Sequence, residues 1–128
     1  MKLNHDCVRA VLLYLEEHLE LTNKICLTDV HIDLFDDNDI LYTGKKLHEA
    51  GYISASIRND VFGSDSSILV SEITWEGHKF LDTIRDNQVW SQTKKILSKV
   101  SSSSISFVSN VASQVLANII SQYMNLSV

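Results

Sequence analysis

The sequence predicts an α+β fold, and three observations carry that expectation. The chain opens on a helical stripe, with Val8, Val11, Leu12, Leu15 and Leu19 spaced i, i+3, i+4 and i+7. Its centre holds two alternating runs, YISASI (52–57) and ILVSEI (68–73), separated by the turn-rich RNDVFGSDSS, which is the pattern of a β-hairpin. Its end, from Val100 to Val128, contains no charged residue and pairs apolar residues every four positions, as an amphipathic helix does. The chain has 128 residues, 45% of them hydrophobic, enough to bury a core in one domain with an extension.

Each element has a local reason. Residues 4–20 form the first helix, because Asn4 can cap it and Asp6 in its first turn favours the positive end of the helix dipole. Residues 25–34, ICLTDVHIDL, read as a strand whose alternation slips by one residue, which a bulge near Thr28-Asp29 explains. The cluster Asp36-Asp37-Asn38-Asp39 is a turn that leads, with Asn38 or Asp39 as cap, into a helix over about 39–50. That helix has an apolar stripe of Ile40, Gly44 and Leu47 and a polar one of Tyr42, Lys45, Lys46 and Glu49. Gly51 stands where a helix ends with positive φ. Thr74 caps the next helix, with Trp75, Phe80, Leu81 and Ile84 on its buried side, and a further helix spans about Gln88 to Lys99. Trp75 and Trp90 are expected as core anchors. Ser101–Ser104 breaks the chain before the uncharged helix.

The order helix, strand, helix, β-hairpin, helix is the skeleton of a winged-helix-like domain over residues 1–86, with a C-terminal helical extension over 87–128 that packs on the domain or mediates dimerisation. One departure from winged-helix regulators stands out. They place a separate helix before the reading helix, and here that stretch reads as strand.

Winged helices usually bind DNA or another protein, so the candidate site is the polar face of the 39–50 helix. The basic pair Lys45-Lys46 stands there with Tyr42, Thr43 and His48; Tyr42 and Lys46 would approach bases or phosphates in the major groove, Lys45 a phosphate, and Arg58 on the wing another phosphate. The partner expected from this reading is double-stranded DNA. The alternative is a protein–protein interaction module that forms a homodimer through residues 105–125. Charge favours neither outright. Net charge is −5 and residues 1–39 hold nine acidic against three basic residues, whereas residues 40–58 carry Lys45, Lys46 and Arg58 against Glu49 alone. The same pattern is what the solvated face of any amphipathic helix contains.

Other functions lack support in the sequence. Cys7 and Cys26 form no CxxC and read as small buried groups, which together with an N-terminus unlike a signal peptide places the protein in the cytoplasm. The acidic run Asp33, Asp36, Asp37 and Asp39 lacks the glycine and downstream glutamate of a calcium loop, so no metal is expected. The five histidines are scattered and the glycines form no phosphate loop, so no cofactor, small-molecule substrate or enzymatic activity is expected. The final helix carries Ser, Asn or Gln in every turn, so no membrane span is expected.

Four segments carry a family resemblance across nearly the whole chain. They are MKLNHDCVRAVLLYLEE, LYTGKKLHEAGYI, ITWEGHKFLDTIRDNQVW and SISFVSNVASQVLANII. The sequence resembles a bacterial and phage-borne family known as domain of unknown function 2513, and ITWEGHKFLDTIRDNQVW is the most specific match. The resemblance implies a Gram-positive bacterium or its prophage as source. It assigns no catalytic or binding residue.

Overall fold

A computed structural model describes residues 2–59, 66–101 and 104–126, with only the backbone of Asn59, Ser66 and Leu126. It is an α+β structure with five α-helices and one three-stranded antiparallel sheet among the described residues. Two compact units divide the chain, Met1–His78 and Lys79–Val128, and the boundary falls inside a helix rather than after residue 86.

The first unit begins with helix α1 (His5–His18). The Asn4 side chain accepts a hydrogen bond from the Cys7 amide at 3.2 Å, as the sequence predicts for its cap. Cys7, Val8, Val11, Leu12 and Leu15 form its buried face. The next element departs from expectation. The predicted strand over 25–34 is reduced to β1 (Ile25–Cys26), followed by a 3-10 turn at Leu27–Asp29. The slip in alternation is therefore a tight turn and not a bulge. Three residues per 3-10 turn put Leu27 and Val30 on the same side, and both are buried. Leu34, in the loop that follows, has a left-handed φ of 80° and an exposed side chain.

Helix α2 spans Asp37–Glu49. Its cap is Asp36, earlier than predicted, whose carboxylate accepts from the Asp39 amide at 2.7 Å. Ile40, Thr43, Gly44 and Leu47 are buried. A Cβ on Gly44 would overlap the Leu27 side chain, so the glycine lets the 3-10 turn seat against the helix. Gly51 closes α2 with φ 79°, as predicted.

Strands β2 (Ile53–Asn59) and β3 (Ser66–Ile73) form the hairpin, and residues 60–65 of the expected wing loop lie outside the described residues. Strand order is β1-β3-β2. Ile25 faces Val70, Ser56 faces Leu69 and Arg58 faces Ser67, with an irregularity between Ser54 and Ala55. Side chains alternate across a strand, so buried Ile53, Ile68 and Val70 point to the helix-covered side while Ser56, Arg58, Ser67 and Leu69 point away from it. Both α1 and α2 contact the sheet, and the core of this unit lies between them. Each large apolar side chain buried there stabilises the fold by roughly 1.5–3 kcal/mol.

Thr74 works twice at the start of helix α3 (Trp75–Ile84). Its hydroxyl donates to the Gly51 carbonyl at 2.6 Å and accepts from the Gly77 amide at 3.1 Å, which ties the helix start to the end of α2. A Cβ on Gly77 would overlap the Tyr52 carbonyl oxygen. Trp75 is not the expected anchor, for it is 77% exposed. Gly77, Phe80, Leu81 and Ile84 share the buried stripe, and at about 100° per residue Trp75 falls roughly on the opposite face.

The second unit holds helices α4 (Asn87–Leu97) and α5 (Ile105–Leu126). Asp86 caps α4 by accepting from the Gln88 and Val89 amides at 2.9 and 3.0 Å. Ser104 caps α5 by accepting from the Phe107 amide at 3.2 Å. Val89, Val115 and Ile119 form a core with Val111 and Leu116 against it, and Trp90 is buried as expected. No helix among the described residues is long and apolar enough to cross a membrane.

Candidate nucleic-acid interface

The five residues singled out by the sequence do not form one site. Thr43 is a correction, because it is 1% exposed and cannot meet a ligand. It belongs to the Ile40, Gly44, Leu47 stripe by its own spacing, and it hydrogen-bonds Cys7 inside the core. Burial pushes the Cys7 thiol above its ordinary range, which leaves it a neutral core group.

Tyr42, Lys45 and Lys46 do share a face. The Lys46 ammonium lies 5.4 Å from the centre of the Tyr42 ring, within cation–π range. It also donates to the Glu49 carboxylate at 2.9 Å. That bond holds Lys46 above its ordinary pKa and Glu49 below its own. Lys45 is exposed. The face is therefore cationic at its C-terminal end, while Asp36, Asp37 and Asp39 make the N-terminal end of α2 acidic. His31 stands 3.4 Å from the Asp37 carboxylate, and among the described residues no group of His, Cys, Asp and Glu could hold a metal ion.

Arg58 lies elsewhere, on the open face of the sheet. It lines a groove of about 350 Å³ with Lys24, Cys26, Ser56, Ser67 and Leu69. Cys26 is half-buried here, not enclosed as the sequence suggests, and its sulfur lies 2.7 Å from the Thr28 hydroxyl. Lys24 is the residue that sequence reasoning passes over. No local pattern marks it, because its place on the same sheet face as Arg58 depends on β1 pairing with a strand more than forty positions away.

A second groove, of about 510 Å³, has the opposite character. Glu16, Glu20, Glu72 and His78 surround Leu19, Leu21, Ser71 and Ile73. Glu20 accepts from the Asn23 side chain at 3.0 Å, and Leu21 is wholly exposed.

These features define a small α+β protein whose candidate sites are charged surface faces. The chain belongs to the family described as Hypothetical protein (DUF2513), which matches residues 2–104. It is also similar to a protein of Haemophilus influenzae named "Uncharacterized protein", 33% identical over 124 residues that cover 97% of this chain and 99% of that one. No solved structure matches it.

Proposed function

We propose that this protein is a winged-helix DNA-binding regulator, with α2 as the reading helix and the β2–β3 hairpin as the wing. The observation that carries the reading is topological. A first helix, a short strand, a second helix and a hairpin follow in order, and the short strand pairs with the outer edge of β3 to give β1-β3-β2. The 3-10 turn at Leu27–Asp29 stands where such regulators carry a bracing helix. Gly44 receives the Leu27 side chain, so a three-residue turn supports α2 from the position that a longer helix occupies elsewhere.

On α2 the DNA-facing groups are Tyr42, Lys45 and Lys46, with Thr43 beneath them in the core. Cationic side chains that neutralise phosphates release counterions, so binding of this kind weakens steeply with salt. Electrophoretic mobility with bacterial genomic DNA at low salt tests the proposal. Retardation that Lys45→Ala with Lys46→Ala reduces at least tenfold supports it, and a full chain that leaves DNA unretarded at low salt sinks it.

A second reading has its own observation. On α5, Ile120, Tyr123 and Met124 are 47%, 67% and 64% exposed and spaced i, i+3 and i+4, on a helix without charge. Such a face suits self-association into a homodimer. Light scattering of the full chain against Tyr123→Glu tests it, with a dimer that dissociates in the variant as the expected result and a full-length monomer at high concentration as the contrary one.

A further inference from the structure

We infer that the open face of the sheet is a phosphate-group site built from Lys24, Arg58, Ser56 and Ser67. The inference rests on the nucleic-acid reading for its ligand and adds a second contact surface, separate from α2.

The groove on that face is lined by two cations, two hydroxyls, Cys26 and Leu69, and no acidic side chain is among the described lining residues. Neither Lys24 nor Arg58 is paired with a carboxylate among the described residues. Lys46 and Arg85, by contrast, each bond an acid three residues away. The Ser56 and Ser67 hydroxyls have no hydrogen bond to another described group, whereas Ser71 on the same strand spends its hydroxyl on the Ser54 carbonyl at 3.1 Å.

The register places these groups in two rows. Ser56 and Cys26 both face Leu69, and Arg58 faces Ser67 one row further along. Lys24 stands just before Ile25, which faces Val70. Arg58 and Lys24 thus lie on opposite sides of β3, separated by at least three residues along it, or roughly 10 Å, and by two strand spacings, roughly 10 Å across. Long cationic stems anchored at opposite corners converge on a ligand lying over the small residues between them. Arginine offers a planar fork for two phosphate oxygens, lysine a point charge, and the serines neutral donors. The spread of the corners suits phosphates in series along a nucleic-acid backbone, and the chemistry also accepts a free phosphate.

The test is a titration of the isotope-labelled full chain, followed by backbone NMR. One arm adds inorganic pyrophosphate, the other a short DNA duplex at low salt. The expected result is movement of the Lys24, Cys26, Ser56, Arg58 and Ser67 signals in both arms. Lys24→Ala with Arg58→Ala should weaken the pyrophosphate response at least tenfold. Lys24→Arg with Arg58→Lys should retain it. Duplex binding that moves only α2 signals overturns the site and leaves the proposed function standing. Pyrophosphate that moves the groove signals while the duplex is not bound keeps the site and overturns the proposed function. Groove signals that stay still in both arms, or an alanine pair that titrates as the parent does, overturn the site.

Discussion

Strand β3 runs from a basic groove to an acidic one. At its start, Ser67 and Leu69 share a groove with Lys24 and Arg58; at its end, Ser71, Glu72 and Ile73 share another with Glu16, Glu20 and His78. The difference lies in where each charge comes from. The basic groove takes Arg58 from a strand position whose alternation points it away from the core, and Lys24 from the residue just before β1. The acidic groove takes two of its carboxylates from the C-terminal end of α1 and the turn beyond it, where acids gain nothing from the helix dipole. Net charge therefore describes neither face. A chain of overall −5 presents one basic groove and one acidic groove.

The largest expected effect comes from inverting the basic groove. Lys24→Glu with Arg58→Glu should lower DNA affinity at low salt by roughly a hundredfold, because two attractive contacts become repulsive. Glu20→Gln with Glu72→Gln should leave affinity equal or higher. Gel mobility at a fixed low salt concentration measures both, and equal losses in the two variants would erase the distinction between the grooves.

Next in size is the seat of the basic groove. Gly44→Ala should cost about 1–3 kcal/mol in denaturant unfolding, since the new methyl must displace Leu27. The 3-10 turn that moves follows directly on β1, so the signals of Lys24 and Cys26 should shift while those of Glu72 and His78 hold still.

How much of this was legible follows the range of the forces involved. Asn4, Gly51 and Thr74 announce themselves because caps and positive φ are set by neighbours a few residues away. The core position of Thr43 was also written in the spacing, three residues from Ile40 and four from Leu47, although its hydroxyl suggested a surface role. Trp75 misled through size, which argues for burial even where the helix turns the ring outward. The strand predicted over 25–34 misled because a tight turn and a bulge both break alternation by one residue. The pairing of β1 with β3, which brings Lys24 to the same sheet face as Arg58, is long-range and has no local signature. The polar face of α2 was legible, but its internal ion pair was not, since Lys46 can reach Tyr42, Glu49 or solvent.

That ion pair gives a smaller effect. Glu49→Gln should raise DNA affinity by about two- to fivefold, the range of an exposed pair, by releasing Lys46. Acid should act the same way. Glu49 is held below its ordinary pKa, so its bond to Lys46 is complete above the unfolded-state value and is lost as pH falls through the lowered one. An affinity that is unchanged by the substitution would place Lys46 outside the DNA contact. The smallest effect is on stability alone. Leu34→Gly should stabilise the fold by up to about 1 kcal/mol by relieving a left-handed backbone at an exposed position, and a lowered melting temperature would speak against that strain.

The most direct test of the two-faced surface is the salt dependence of DNA affinity. Each phosphate neutralised contributes about 0.9 to the slope of log affinity against log salt. Lys24→Ala with Arg58→Ala should lower that slope by roughly 2, and Glu20→Gln with Glu72→Gln should leave it unchanged. A slope that is the same in the parent and in the Lys24/Arg58 variant would contradict the two-faced surface.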